Sequence, residues 1–160
     1  MGRVYRELPS ATELWDRFEY NPLTGVIYRK GKAKPAGYLR KDGYWFVGYD
    51  YDKILRHRLV YVWMTGTSPG QMIVDHVNRT PGDDRAWNLR LATPGESSRN
   101  VSARGTWQRT ANTFQAKICI DRKIIHLGTY PTEAEAKAAY IKASQELHGS
   151  FSPYANRCKN

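Results

Sequence analysis

Val74-Asp75-His76-Val77-Asn78, returning as Asn88-Leu89-Arg90-Leu91-Ala92 and running into Thr93-Pro94-Gly95-Glu96, is the stretch on which the fold turns. Ile73-Val74 reads as a strand carrying Asp75 and His76 to its end, and Leu89 to Ala92 reads as the strand that comes back. Between them Thr80-Pro81-Gly82-Asp83-Asp84 has the composition of a loop. Thr93, Pro94 and Glu96 supply an N-cap, a proline suited to the first helical position and an early acid, so a helix starts there. The order is strand, loop, strand, helix.

The chemistry of that unit is specific. Hydrolysing a phosphodiester requires an activated water, charge neutralisation on the phosphate and relief of charge on the leaving oxygen. Asp75 is suited to hold a divalent cation, His76 to deprotonate water, and Asn88 to bond either backbone or imidazole so that the histidine is aimed. Successive strand residues face opposite sides, so Asp75 and His76 reach one phosphate only where the strand ends or bends.

Working outward, His57 to Thr65 is too densely apolar for a solvent-facing strand and predicts a buried helix stopped by Gly66. His57, at its start, reads as structural or capping in preference to catalytic. Further upstream, Ser10 with Glu13 forms a capping-box pair opening a short helix to about Tyr20. Asn21-Pro22-Leu23-Thr24-Gly25 is turn chemistry, and Val26 to Tyr28, Tyr44 to Tyr49 and the residues after Asp52 read as strands of a small curled sheet. Lys30, Lys32, Lys34 and Lys41 make this segment basic and are either phosphate grips or scaffold.

Downstream, Thr106 to Gln108, Phe114 to Ile120 and Lys123 to Gly128 read as three strands. Thr132 with Glu135 opens a helix to about His148, with Ala136, Tyr140, Ala143 and Leu147 on one face. Gln115 and Lys117 alternate with Ala116 and Ile118, which puts a polar face on one side of the sheet and a helix-packing face on the other.

Composition bounds the function. The 160 residues carry a net charge of +10, with 25 basic against 15 acidic side chains. The excess is +4 in residues 1–56, +1 in 57–103 and +5 in 104–160. A near-neutral centre between basic arms suits a chemical site whose binding energy comes from phosphate contacts on either side. Mean hydropathy of -0.67 leaves no apolar run able to span a bilayer, and the N-terminus lacks the apolar core of a signal peptide. A reducing cytoplasm is the default expectation. Cys119 and Cys158 lack zinc-site spacing, so free thiols and no structural zinc are expected.

The ordered motifs His57-Arg58-Leu59-Val60, Val74 to Asn78, Asn88 to Thr93 and Glu96 to Asn100 resemble the HNH endonuclease family, in the branch of phage homing and free-standing endonucleases. The resemblance implies a ββα-metal (His-Me finger) core, with Asp75 a metal ligand, His76 the general base and Asn88 the residue fixing the loop. It also implies Mg2+, Mn2+ or another divalent ion as cofactor and double-stranded DNA as partner, the protein acting as monomer or homodimer. The family takes a second ligand, Asn or His, from the helix nine residues after the central Asn, and that position here is Ser97. Three readings stay open: Ser97 binds through its hydroxyl or a water, Asn100 one turn later substitutes, or the protein binds without cutting. Arg90 is read as a contact to phosphate or to the acidic cluster, or as packing.

Residues 104–152 resemble the APETALA/ERF-type DNA-binding domain, through Arg104-Gly105-Thr106-Trp107, Phe114 to Ile118, His126 to Tyr130 and the helix from Thr132 through Tyr140. By that resemblance the sheet enters the major groove, with Arg104, Trp107, Arg109, Gln115 and Lys117 as DNA contacts and Lys123 and His126 secondary. Phe114 and Cys119 depart from the residues plant members carry, so their sequence preference does not transfer. The expectation is an α+β chain of three parts: residues 1–56, a helix and β-rich DNA-contacting or scaffold segment; 57–103, the nuclease; and 104–160, a three-stranded antiparallel sheet on one helix. Two rival functions are a DNA-binding regulator with a decayed site and a non-specific DNA-degrading nuclease.

Overall fold

The computed structural model describes residues 7–101 and 103–155; Cys158, expected as a free thiol, lies outside them. The chain is a mixed α+β protein of small antiparallel sheets, in two compact units, Met1–Thr93 and Pro94–Asn160. Residues before 57 therefore share a unit with the Asp75-His76 strand. Among the described residues no helix is long and apolar enough to cross a membrane.

In the first unit α1 (Ala11–Arg17) is opened by Ser10, whose side chain accepts from the Glu13 amide while Glu13 reaches back to the Ser10 amide. The helix stops three residues before the expected Tyr20. Phe18 has already turned to extended backbone, because Phe18–Asn21 (β1) pairs antiparallel with Val26–Arg29 (β2), Phe18 opposite Arg29. Strand pairing at the end of the capping-box helix wins over its helical periodicity. Tyr38–Leu39 (β3), Trp45–Tyr49 (β4) and Asp52–Leu55 (β5) form a second small sheet in the order β3-β4-β5.

Directly after β5 comes α2 (Arg56–Thr65), ended at Gly66 as its composition predicts. Leu59, Val60 and Val62 are fully covered and pack with Leu14, Phe18, Ile27 and Val47 into one core. Burying each such side chain stabilises the fold by about 1.5–3 kcal/mol. The same helix carries Arg56 and His57 into the interior at its N-terminal end. Ile73–His76 (β6) and Leu89–Ala92 (β7) then form a two-stranded antiparallel hairpin with Asp75 opposite Arg90 and His76 opposite Leu89.

The second unit holds α3 (Pro94–Arg99), strands Thr106–Thr110 (β8), Thr113–Ile120 (β9) and Lys123–Tyr130 (β10), and α4 (Glu133–His148). The sheet order is β10-β9-β8, all antiparallel. Ala116 and Ile118 of β9 are buried with Ala136, Tyr140 and Ala143 of α4, as the alternation along β9 predicts. Leu147, expected on that buried face, is 47% exposed: the face is closed instead by Ser144, whose hydroxyl bonds that of Ser152 at 2.8 Å. Gly105 keeps the unit tight, since a Cβ there would lie about 2.4 Å from the Tyr140 ring.

Candidate active site

The hairpin positions Asp75 and His76 on opposite faces of β6, as strand geometry requires. Asp75 looks across the hairpin to Arg90, whose Nε and Nη2 both donate to its Oδ2 at 3.0 and 2.9 Å. Arg90 therefore contacts the acidic residue itself. His76, the last residue of β6, turns the other way and is 5% exposed. A tight turn follows, the Arg79 amide donating to the His76 carbonyl at 2.9 Å.

His76 meets a residue that sequence reasoning had left in the loop. Its Nε2 lies 2.7 Å from Oδ1 of Asp84, and Oδ2 of the same carboxylate accepts from Arg56 Nε at 2.6 Å. Asp84 is 1% exposed. Burial pushes its pKa up, yet the bonds from His76 and Arg56 and the guanidinium charge outweigh this and hold it below the usual carboxylate range. Arg56 is fixed in turn, its Nη2 donating to the Gly82 carbonyl at 2.7 Å and its guanidinium lying 4.6 Å from the centre of the Trp45 ring.

The histidine at 57 joins this interior. Leu55 is the N-cap of α2 and its side chain makes no capping bond, so His57 sits in the first turn without capping it. The His57 ring stands edge-on to His76, centroids 5.0 Å apart, with Tyr44 beside both. Burial, then the neighbouring His76, pushes the His57 pKa down to about 3, so it is a neutral imidazole at pH 7.

Asn88 is wholly covered and closes the loop rather than touching the imidazole. Its Oδ1 accepts from the Asn78 amide at 2.9 Å, and its Nδ2 donates to the Asp83 carbonyl at 2.6 Å and to Asn78 Oδ1 at 3.0 Å. One amide thus ties both ends of the segment between His76 and Asp84. Asp83 is held by Arg85 and by Asn78, which keeps its carboxyl below its ordinary range. The β1–β2 hairpin braces the loop from outside: Tyr20 Oη donates to the Asp84 carbonyl at 2.8 Å, and the Ala86 amide donates to the Pro22 carbonyl at 3.2 Å. Gly25, at φ +73°, packs so closely that a Cβ would lie 2.5 Å from the Arg85 amide nitrogen.

Two donor sets bear on a divalent ion. His57, His76 and Asp84 bring ligand atoms within 4.8 Å of one another. Their charge is already balanced: the Arg56 guanidinium occupies one oxygen of the Asp84 carboxylate and the imidazole the other. A cation there would face the buried Arg56 guanidinium, which disfavours a metal at this cluster. Asp75 is likewise paired with a guanidinium, that of Arg90, but it is a single partly buried carboxylate at the hairpin, and a Mg2+-type ion that keeps most of its waters needs only one or two such groups.

The remaining sequence-predicted residues lie in the second unit. Ser97 is on α3, and buried Asn100 follows it, the Asn100 amide donating to the Ser97 carbonyl at 3.1 Å. Arg104, Trp107, Arg109 and Lys123 are exposed, Gln115 and Lys117 half-buried, and the Lys117 ammonium lies 5.6 Å from the Trp107 ring centre. Cys119 is an exposed free thiol.

Residues 55–99 match the model of a family described as HNH endonuclease. The chain is 32% identical over 124 residues to an uncharacterized HNH endonuclease of Acanthamoeba polyphaga mimivirus, covering 74% of this chain and 66% of that protein. The chain thus spans just under two thirds of that relative's length. No solved structure matches.

Proposed function

With an HNH endonuclease domain at residues 55–99 as the premise, we propose that this chain is a divalent-metal-dependent DNA endonuclease that hydrolyses phosphodiester bonds with site preference. The observation that carries the reading is the buried anchoring of His76: an imidazole at the end of β6, bonded to an ionised carboxylate and set beside a loop pinned by Asn88. Such an anchor suits a general base, whose lone pair must be aimed before water is deprotonated.

The sequence resemblance assigns Asp75 as ligand, and Ser97 or Asn100 as second donor, to a Mg2+ or Mn2+ ion, which would supply charge neutralisation on the phosphate and the leaving oxygen. His76 takes the proton from the attacking water. Asn88 keeps the loop, and with it Asp84, in register with the imidazole. Arg90 draws Asp75 to the hairpin and adds positive charge where a phosphate binds.

The second unit is the reader of duplex DNA in this proposal. Its basic excess, its exposed Arg104, Trp107, Arg109 and Lys123, and the outward-alternating Gln115 and Lys117 support a sheet laid in the major groove. Protein acting as monomer would nick one strand, and as homodimer cut both.

Nicking of supercoiled plasmid with Mg2+ or Mn2+ tests the reading, beside His76→Ala and Ser97→Asn. Wild-type nicking, with His76→Ala binding DNA but not cutting it, is the expected result. Equal cleavage by both removes the general-base assignment, and binding without cleavage under every divalent ion turns the protein into a regulator. A gain of activity in Ser97→Asn identifies Ser97 as the weak second donor.

A further inference from the structure

We propose that Asp84, held by Arg56, is the positioning residue that fixes which nitrogen of His76 carries the proton. The inference rests on the endonuclease reading and adds to it a residue outside the hairpin strands. Its basis is the donor and acceptor inventory of three buried groups. An ionised carboxylate only accepts, and a guanidinium only donates. With Asp84 Oδ2 receiving Arg56 Nε at 2.6 Å, Oδ1 at 2.7 Å from His76 Nε2 requires a proton on that nitrogen. In the tautomer so bonded the ring lone pair lies on Nδ1, the atom to which the endonuclease reading then assigns the proton-accepting role.

The carboxylate is held against rotation from three sides. Arg56 is locked by the Gly82 carbonyl and the Trp45 face, and the Asp84 backbone is held by the Tyr20 hydroxyl. Asp84 and Arg56 are 1% and 3% exposed, so water does not substitute for either partner.

This arrangement gives an isosteric substitution a directional effect. In Asp84→Asn the obligate donor Arg56 claims the amide oxygen, which turns the amide NH2 toward His76 Nε2. That nitrogen must then accept, and the proton moves to Nδ1. The variant keeps shape and packing but presents the wrong tautomer. In Arg56→Met/Asp84→Asn the amide is released to turn its oxygen back to Nε2–H, so the double variant recovers what the single variant loses.

The test uses the full chain labelled with 15N, reading imidazole nitrogen shifts without metal, with His76→Gln to assign the His76 signals. Alongside it run single-turnover nicking with Mg2+ and Mn2+ and DNA binding without metal. Expected are an Nε2–H tautomer in wild type and an Nδ1–H tautomer in Asp84→Asn. Cleavage by Asp84→Asn falls ~10²- to 10⁴-fold, the range for loss of general-base function, with DNA affinity within about twofold, the tautomer change leaving phosphate contacts intact. The double variant recovers at least about tenfold of that loss and returns to Nε2–H. An Nδ1–H tautomer in wild type, or Asp84→Asn cleaving within about threefold of wild type, overturns the assignment. If Asp84→Asn fails to fold, the wild-type and double-variant spectra decide. If wild type cuts no DNA under either ion, the endonuclease reading fails, while the tautomers of wild type and Asp84→Asn still settle whether Asp84 positions His76.

Discussion

Arg56 and Asp84, 28 residues apart, form an ion pair at 2.6 Å with side chains 4% and 1% exposed. Removing one member of such a pair leaves a charge in the interior without its partner, which costs about 3–5 kcal/mol. Arg56→Ala is therefore expected to destabilise the first unit by that amount at neutral pH, read as a shift in the denaturant midpoint. Arg56→Lys should recover only part of it, because an ammonium cannot bridge Asp84 and the Gly82 carbonyl in the guanidinium's fixed geometry. A loss below about 1 kcal/mol in Arg56→Ala would show that the pair is wet and weak.

Stability should fall in mild acid because of His57. Burial first, and His76 second, lower its pKa from 6.5 to about 3. Between those values the unfolded chain binds a proton that the folded chain refuses, so stability rises with pH across the window, by up to about 1.4 kcal/mol per unit. The contribution is complete above about pH 6.5 and shrinks as the pH falls toward 3. From pH 7.5 to pH 5 the wild type should lose about 2 kcal/mol, and His57→Phe should lose distinctly less. Asp84, lowered below 3.8, adds its own loss only as the pH falls toward and below 3.8, and so leaves the comparison between pH 7.5 and pH 5 to His57. Urea unfolding at the two pH values checks the difference.

Asn88→Ala deletes three bonds that close the loop after β6. Leaving buried amide and carbonyl groups unsatisfied costs about 1–3 kcal/mol each before relaxation, so a net loss of about 2–4 kcal/mol is expected. Asn88→Asp should be no milder, since a carboxylate oxygen would face the Asp83 carbonyl. Cleavage measured well below the melting temperature should drop in both variants, through misplacement of the loop that carries Asp84.

For DNA binding, Lys117→Ala should lower the slope of log affinity against log salt by about one unit if its ammonium contacts phosphate. Trp107→Ala should weaken binding with a smaller change in that slope. A Lys117→Ala slope identical to wild type would count against Lys117 as a phosphate contact.

Where signals were local, the sequence was a sound guide. The Ser10–Glu13 box, the stop at Gly66, the β6 and β7 strands and the alternation of Ala116 and Ile118 depend on neighbours within a turn or a strand, and the structure has each of them. Phe18 and Leu147 went otherwise because partners distant in sequence decided them: Arg29 across the β1–β2 pair, and Ser152 against Ser144. Asp84 escaped notice for a related reason. Within Thr80-Pro81-Gly82-Asp83-Asp84 it has the composition of a solvated turn, and only the folded chain brings Arg56 and His76 to it. A signal did exist: Arg56-His57 opens an apolar helix, and a cation carried indoors needs a carboxylate to meet it.

The bracing of the loop after β6 by Tyr20, Pro22 and Gly25 limits how the first unit can be taken apart. A fragment cut at residue 55 would retain each side chain proposed for the chemistry, yet its Asp84 carbonyl would have lost the phenol that donates to it and its Arg85 backbone the turn it rests on. Transplanting the proposed activity onto another protein therefore means carrying the chain from before Ser10, so that the smallest portable unit is about twice as long as its sequence motif.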